Sequence, residues 1–259
     1  MNTEPPPFTI DAFHRGAFHL VQPAGKGHRA GLDAMLLAAA VPNGFHGDLA
    51  DLGAGAGAAG FAVAARCSRA QVLLVEKVAT MADCALQSCG LSENAGLAAR
   101  IKVAQADVEL SGPERVRAGL PDRSFDFIIM NPPFNSARDR ATPDLLRRDA
   151  HVLTDGLFDR WLRTASAIAR SKAEVAIIAR PASLAEIIAS LEGRFGSPRC
   201  LPVHPRPEAD AIRIVLRARK GARGALSIVP PLILHEQDGR AFTERADAII
   251  NGRETLFPD

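Results

Sequence analysis

The sequence predicts an α/β fold: a doubly wound, mostly parallel sheet that finishes in a C-terminal antiparallel strand pair. Three observations predict it. From residue 48 onward, short apolar runs alternate with stretches of helical period, the pattern of successive βα units. A glycine-rich loop, Asp51-Leu52-Gly53-Ala54-Gly55-Ala56-Gly57, joins the first of these runs to the first helical stretch. Near the C-terminus the period changes to two, as in strands with one face buried.

In chain order, residues 1–9 are proline-rich and predict a frayed start. Residues 11–23 suit a short hairpin with 18–22 as its second strand, and 32–41 a helix that Pro42 and Gly44 end. Asp33, in the first turn of that helix, is by itself an ordinary helix-start acid. Strands are expected at 48–52, 71–76 and 101–104, and helices at 57–66 and 79–89, the second closed by Gly90. Residues 125–130 form the fourth strand, apolar almost throughout, as a strand buried on both faces must be. A helix over 157–170, capped from Thr154 or Asp155, a strand at 174–179 and a helix at 183–191 follow. Residues 211–218 then alternate, with Ile212, Ile214 and Leu216 inward and Arg213, Arg217 and Arg219 outward, before a turn at 220–224 leads into a partner strand at 225–229. The expected organisation is one domain over 48–252, an extension over 1–47 packed on it, and a tail over 253–259.

Composition narrows the function. An apolar fraction of 47% and a charged fraction of 23% suit a globular protein, and the net charge of +2 announces no global attraction to a polyanion, so a nucleic-acid partner needs a local basic patch. No apolar run approaches the length of a membrane span and the N-terminus lacks the pattern of a leader, so a cytoplasmic protein without a membrane partner is expected. Cys67, Cys84, Cys89 and Cys200 form no CxxC pair and no ligand spacing with histidine, which predicts free thiols and no metal. His151 and His204 read as packed or capping residues.

The corner after the fourth strand, Asn131-Pro132-Pro133-Phe134, carries the chemistry. Two prolines stiffen the chain where it leaves the sheet at its carboxyl edge, the edge at which open α/β sheets bind ligands. The Asn131 amide and the Pro132 carbonyl are acceptors that can take both hydrogens of an exocyclic amine, and Phe134 offers a ring for stacking. Such an amine is a poor nucleophile because its lone pair is delocalised. Acceptors that draw it toward tetrahedral geometry favour the transition state of methyl transfer. An Asn-Pro pair alone is an ordinary loop opener, and only the strand before it and the aromatic after it give it weight.

The glycine loop admits two readings. Gly55-Ala56-Gly57-Ala58-Ala59-Gly60 is GxGxxG, and Glu76 ends the next strand where a ribose-binding acid belongs, so a nicotinamide oxidoreductase is the first rival. Asp107 closes the third strand, where it can accept the amine of an adenine. The acid at the start of the loop, Asp51, and the Asn131 corner tilt the balance toward methyl transfer, since a dehydrogenase has no use for that corner.

With these residues in view, the chain resembles class I S-adenosylmethionine (SAM)-dependent methyltransferases that carry an Asn-Pro-Pro-Phe motif, and more closely the bacterial tRNA adenine N6-methyltransferases that modify the adenosine beside the anticodon of a valine tRNA. The stretches that carry the resemblance are His28-Arg29 to Leu32-Asp33, Asp51 to Gly57, Phe125 to Phe134, and residues 203–206 with 213–221. It implies a Rossmann-like fold with SAM as cofactor, and tRNA or another structured RNA as partner. It further implies that Asp51, Gly53, Gly55 and Gly57 hold the methionine part of SAM, Glu76 its ribose and Asp107 its adenine. Asn131, Pro132 and Phe134 would be catalytic, Asn131 also touching the cofactor, with Arg29 and Asp33 in a roof over it. Phe134, Arg138, Arg140 and Arg206 would bind substrate. Ala56 stands where many relatives carry serine or threonine, and the insert 109–122 is long. Arg138, Arg140, Arg147 and Arg148 after the corner, and Arg206, Arg213, Arg217, Arg219, Lys220 and Arg223 near the end, are the basic clusters an RNA face could use. A protein glutamine N-methyltransferase, a small-molecule O-methyltransferase or an inactive cofactor-binding module stand as alternatives, and a homodimer is compatible with all of them.

Overall fold

The computed structural model describes residues 8–24, 31–133 and 156–258. β1 (Phe8–Phe13) and β2 (Phe18–Pro23) form an antiparallel hairpin. The main chain of α/β units then runs α1 (Leu32–Ala38), β3 (His46–Leu52), α2 (Ala58–Arg66), β4 (Arg69–Glu76), α3 (Ala79–Cys89), α4 (Ala95–Ala98), β5 (Ile101–Gln105), α5 (Gly112–Arg117) and β6 (Phe125–Met130). After residue 155 come α6 (Leu157–Ile168), β7 (Ala169–Ala179), α7 (Leu184–Leu191), β8 (Phe195–His204), β9 (Arg213–Lys220), the short β10 (Ser227–Ile228) and β11 (Leu232–Ile233), and α8 (Glu244–Ile250).

The large sheet has the order β10-β8-β9-β7-β6-β3-β4-β5, with β11 on β8. β3 to β7 are parallel neighbours, so their carboxyl ends meet along one edge, and β9 runs antiparallel between β7 and β8. Each face is covered. Phe127 and Ile129 of β6 join a core with α1, α2, α8 and Phe18 and Leu20 of the hairpin, whereas Ile128 and Met130 join α6 and α7 on the other side. That two-sided burial is why β6 reads as an unbroken apolar run. The hairpin is also fastened by hydrogen bonds: the Val21 N–H donates to Ser88 Oγ at 2.9 Å and the His19 N–H to Asn94 Oδ1 at 2.9 Å.

The sheet corrects the expected C-terminal pairing. β9 does not pair with residues 225–229; Ser227–Ile228 instead pairs parallel with β8. β8 itself escaped the sequence reading because Pro198 and Pro202 argue against a strand. They are tolerated because the outer side of β8 is laddered only at Arg199–Cys200 and Val203–His204. The face assignment of β9 also changes: Ile214 and Leu216 are buried, but Val215 is buried on the opposite face, and Ile212 precedes the strand and is 42% exposed. The helix expected over 157–170 stops at Ile168, and Ala169 and Arg170 open β7. Thr154 and Asp155, its expected caps, lie outside the described residues, and Gly156 in left-handed geometry (φ 77°) is the N-cap. The insert 109–122 folds around α5, where Arg115 is buried and donates to the Leu120 carbonyl and to Asp122.

Candidate functional site

The carboxyl edge of the sheet turns into a cavity because of how β3 ends. The N–H groups of Gly53 and Ala54 both donate to the Val75 carbonyl on β4, at 2.9 and 3.0 Å, and this folds the chain sharply away from the sheet. Gly53 (φ 70°) and Gly55 (φ 58°) take left-handed geometry to do so. The resulting cavity, about 440 Å³, is bounded by this loop, Asp33 of α1, Asp51, Asn131, Pro132 and Arg213. Its size is that of a small-molecule or cofactor site.

Asp51 is its most perturbed group. Two per cent exposed, it accepts the Gly60 N–H on Oδ2 at 2.9 Å. Burial pushes its carboxyl up to about 7; the Gly60 N–H works against that shift and the charge of Glu76 adds to it.

The glycines divide into two kinds. A Cβ on Gly55 would meet only Met81 Cε at 3.6 Å, so the backbone there is open to the cavity. On Gly57 it would lie 2.6 Å from Leu74 Cδ1, and on Gly60 2.2 Å from Leu74 Cδ2. Those two serve the packing of α2 on β4, and neither lines the cavity.

Glu76 and Asp107 stand at the expected strand ends but outside the lining of the cavity. Glu76, buried, accepts the Gly55 N–H at 2.8 Å on one oxygen and the Val78 N–H at 2.7 Å on the other, so it locks the glycine loop to the end of β4. Asp107 pairs with Lys77 at 2.6 Å and accepts the Glu109 N–H at 2.9 Å. Although partial burial favours its neutral form, those two donors hold its carboxyl below the usual range.

Asn131 and Pro132 line the same cavity as Gly53 and Gly55, with Asn131 half-buried and Pro132 buried. Among the described residues none hydrogen-bonds the Asn131 side chain. Phe134, Arg138, Arg140, Arg147, Arg148, His151 and Arg29 lie outside the described residues. Asp33 lines the cavity from α1 and is held by Arg213, whose Nε reaches both carboxylate oxygens.

Much of the C-terminal basic cluster is engaged within the chain, which weakens the expected RNA face there. Arg206 donates to the carbonyls of Glu236, Gln237 and Gly239, Arg217 pairs with Glu174 at 2.6 Å, and Lys220 donates to the carbonyls of Ser166 and Ala169. His204 places Nδ1 2.6 Å from the Ala209 carbonyl, a loop-holding contact. Sequence reasoning missed Met81, Leu37 and Ile212 as lining residues, since each reads locally as a helix or strand apolar position. Among the described residues no cluster of His, Cys, Asp and Glu could hold a metal, and no helix is long and apolar enough to cross a membrane.

Comparison with known proteins places this geometry. Residues 28–157 match the methyltransferase small domain family. A crystal structure of an Agrobacterium tumefaciens protein, described as a predicted O-methyltransferase, is 46% identical, covers 86% of this chain and 98% of its own, and has a TM-score of 0.76. TYW2 of M. jannaschii, solved with AdoMet, has a TM-score of 0.58 at 11% identity over 85% of this chain and 88% of its own. The 16S rRNA N2 G1207 methyltransferase of T. thermophilus, solved with AdoMet and guanosine, has a TM-score of 0.54 at 19% identity over 82% and 50%. At those identities the last two speak for the fold alone. The curated proteins contain no match. The residues present fit SAM: a buried acid faces the cavity where an ammonium can enter, and the Gly55 backbone leaves room for the ligand. The chain belongs to the methyltransferase small domain family and is a SAM-dependent methyltransferase of the class I, Rossmann-like fold.

Proposed function

We propose that this enzyme methylates an exocyclic amine of a nucleobase, with adenine N6 in tRNA as the acceptor. The observation that supports it most is the placement of Asn131 and Pro132 on the wall of the cavity that Gly53 and Gly55 also line. When bound, SAM supplies an electrophilic sulfonium methyl. Asp51 holds the ammonium end, and Gly53 and Gly55 bring backbone against it. Glu76 keeps a second lone pair on each oxygen for ribose hydroxyls while it locks the loop, and Asp107 takes the adenine amine. The Asn131 amide oxygen and the Pro132 carbonyl accept the two amine hydrogens and turn the nitrogen lone pair toward the methyl, while Phe134 stacks on the base. Deprotonation of the methylated ammonium needs no dedicated base, because that proton is acidic. Arg138 and Arg140 hold the phosphates beside an extruded base. The protein acts on RNA in the cytoplasm.

A second reading, O-methylation of a small molecule, is favoured by the description of the 46% identical Agrobacterium tumefaciens protein. A hydroxyl acceptor needs a base, and among the described residues the acids that line the cavity are Asp33, paired with Arg213, and Asp51, buried beneath the loop. The test is incubation with labelled SAM, once with total tRNA from a strain lacking the gene and once with a panel of phenols and catechols. Label recovered as N6-methyladenosine in tRNA is the expected result. Label only in the small molecules would overturn the proposal.

A further inference from the structure

Gly53 is a glycine for a further reason, besides its left-handed backbone and its place on the cavity wall. A Cβ placed on it would lie 2.5 Å from Trp161 Cη2 and 3.0 Å from Cζ3, so the edge of the indole occupies the space a side chain would need. Trp161 projects from α6, is 8% exposed, and belongs to the same buried cluster as Leu52 and Met130. Those two residues immediately precede Gly53 and Asn131. The indole therefore sits under the point where the glycine loop leaves the sheet.

The helix that carries it is fixed from the side as well. Thr164 Oγ1 donates to the Val108 carbonyl at 2.7 Å, and Arg160 pairs with Glu109 at 2.8 Å, both just past Asp107. α6 thus touches the chain beside each end of the proposed cofactor cleft.

From this geometry we infer that Trp161 is a positioning residue for SAM binding, acting through Gly53: it props the glycine loop at the height at which its backbone meets the cofactor. The inference rests on the reading of the cavity as the SAM site. Packing transmits the effect, because a close-packed loop cannot sink without losing its two hydrogen bonds to Val75.

The full chain provides its own probe. It contains one tryptophan and no tyrosine, so indole emission reports Trp161 alone. Titration with SAM should shift that emission. By calorimetry, Trp161→Leu should weaken SAM binding about tenfold with the acceptor KM unchanged, and Trp161→Phe should restore most of the affinity. Gly53→Ala should also weaken binding, by less in the Trp161→Leu background than in the native one, because the clash with the indole is then gone. Additive effects, or unchanged SAM affinity in Trp161→Leu, would overturn the inference. If Trp161→Leu fails to fold, the same cycle is run with Trp161→Met, which also removes the ring, and additivity there has the same meaning. Asp51→Asn separates the two readings. If it leaves SAM affinity intact, the cavity is not the SAM site; if it weakens binding and Trp161→Leu does not, only the role of Trp161 falls.

Discussion

Arg213 meets Asp33 through one nitrogen, its Nε lying 3.1 Å from Oδ1 and 2.9 Å from Oδ2, and so fastens β9 to α1 across the mouth of the cavity. The two side chains are about a quarter exposed, 27% and 26%. Water screens such a pair, so its contribution to stability is about 1 kcal/mol or less. Both residues also line the cavity. Asp33→Ala is expected to lower the urea midpoint slightly and to weaken SAM binding severalfold, with Arg213→Ala giving the same pattern in both measurements.

Asn131→Ala removes one of the two acceptors proposed for the amine. Turnover should fall about 100-fold or more, the loss typical of a deleted transition-state hydrogen bond. SAM affinity, measured by calorimetry, should stay within about threefold, because the residues proposed to carry most of the cofactor contacts are Asp51, Gly53 and Gly55. A variant that retains native turnover would remove the corner from the mechanism.

The proposed role of Asp51 predicts a pH dependence of SAM binding. Its folded carboxyl titrates near 7, against an ordinary value of 3.8. The folded state therefore holds this proton more tightly than the unfolded chain does. The stability this provides is full below pH 3.8 and is lost, at about 1.4 kcal/mol per pH unit, as pH rises toward 7. Denaturation at pH 5 and pH 8 should show that loss in the native protein and a smaller one in Asp51→Asn. An ammonium pairs with the ionised form, so SAM affinity should weaken as pH falls below 7 and Asp51→Asn should abolish that dependence.

His14 works in the opposite direction. Burial, assisted by the charge of Arg66, pushes its ring down to about 4, and its Nε2 is buried without a partner among the described residues. The unfolded chain takes up this proton first. Stability is full above pH 6.5 and is lost as pH falls toward 4. His14→Phe should flatten that acid limb in a thermal melt series while leaving the Asp51 limb in place.

Gly60→Ala tests the division among the glycines. The added methyl would sit 2.2 Å from Leu74 Cδ2 and 3.0 Å from Val72 Cγ1, an overpacking that costs about 1–3 kcal/mol. The unfolding midpoint should fall accordingly. The same methyl would lie 3.3 Å from Asp51 Oδ2, which accepts the Gly60 N–H, so SAM affinity should fall with the midpoint under the proposed role of Asp51.

The parallel half of the sheet was readable because its strands are buried on both faces and its loops are punctuated by glycine and proline. β6 (Phe125–Met130) and α3 (Ala79–Cys89) fall where the pattern puts them. β8 was not readable, since a strand with two prolines survives only where one side is sparsely laddered, and that is a property of its neighbours. Residue type at a strand end was enough to single out Asp51 and Asn131, which line one cavity. The work of Glu76 could not be seen in sequence: whether an acid at that position faces a ligand or grips the Gly55 and Val78 N–H groups depends on how the loop closes over it. The ion pairs of Arg213 with Asp33 and of Arg217 with Glu174 could not be read, because charge is visible in a sequence and its partner from another element is not.

The interleaving of β9 between β7 and β8 constrains how the chain is made. A ribosome delivers β8 before the strand it must pair with, so for the time taken to synthesise residues 180–220 the flank of β7 lacks the strand that saturates its amides and carbonyls. A nascent or truncated polypeptide that ends before Arg213 would present that flank as a sticky seam, and its fate would be set by chaperone capture rather than by the stability of the finished sheet.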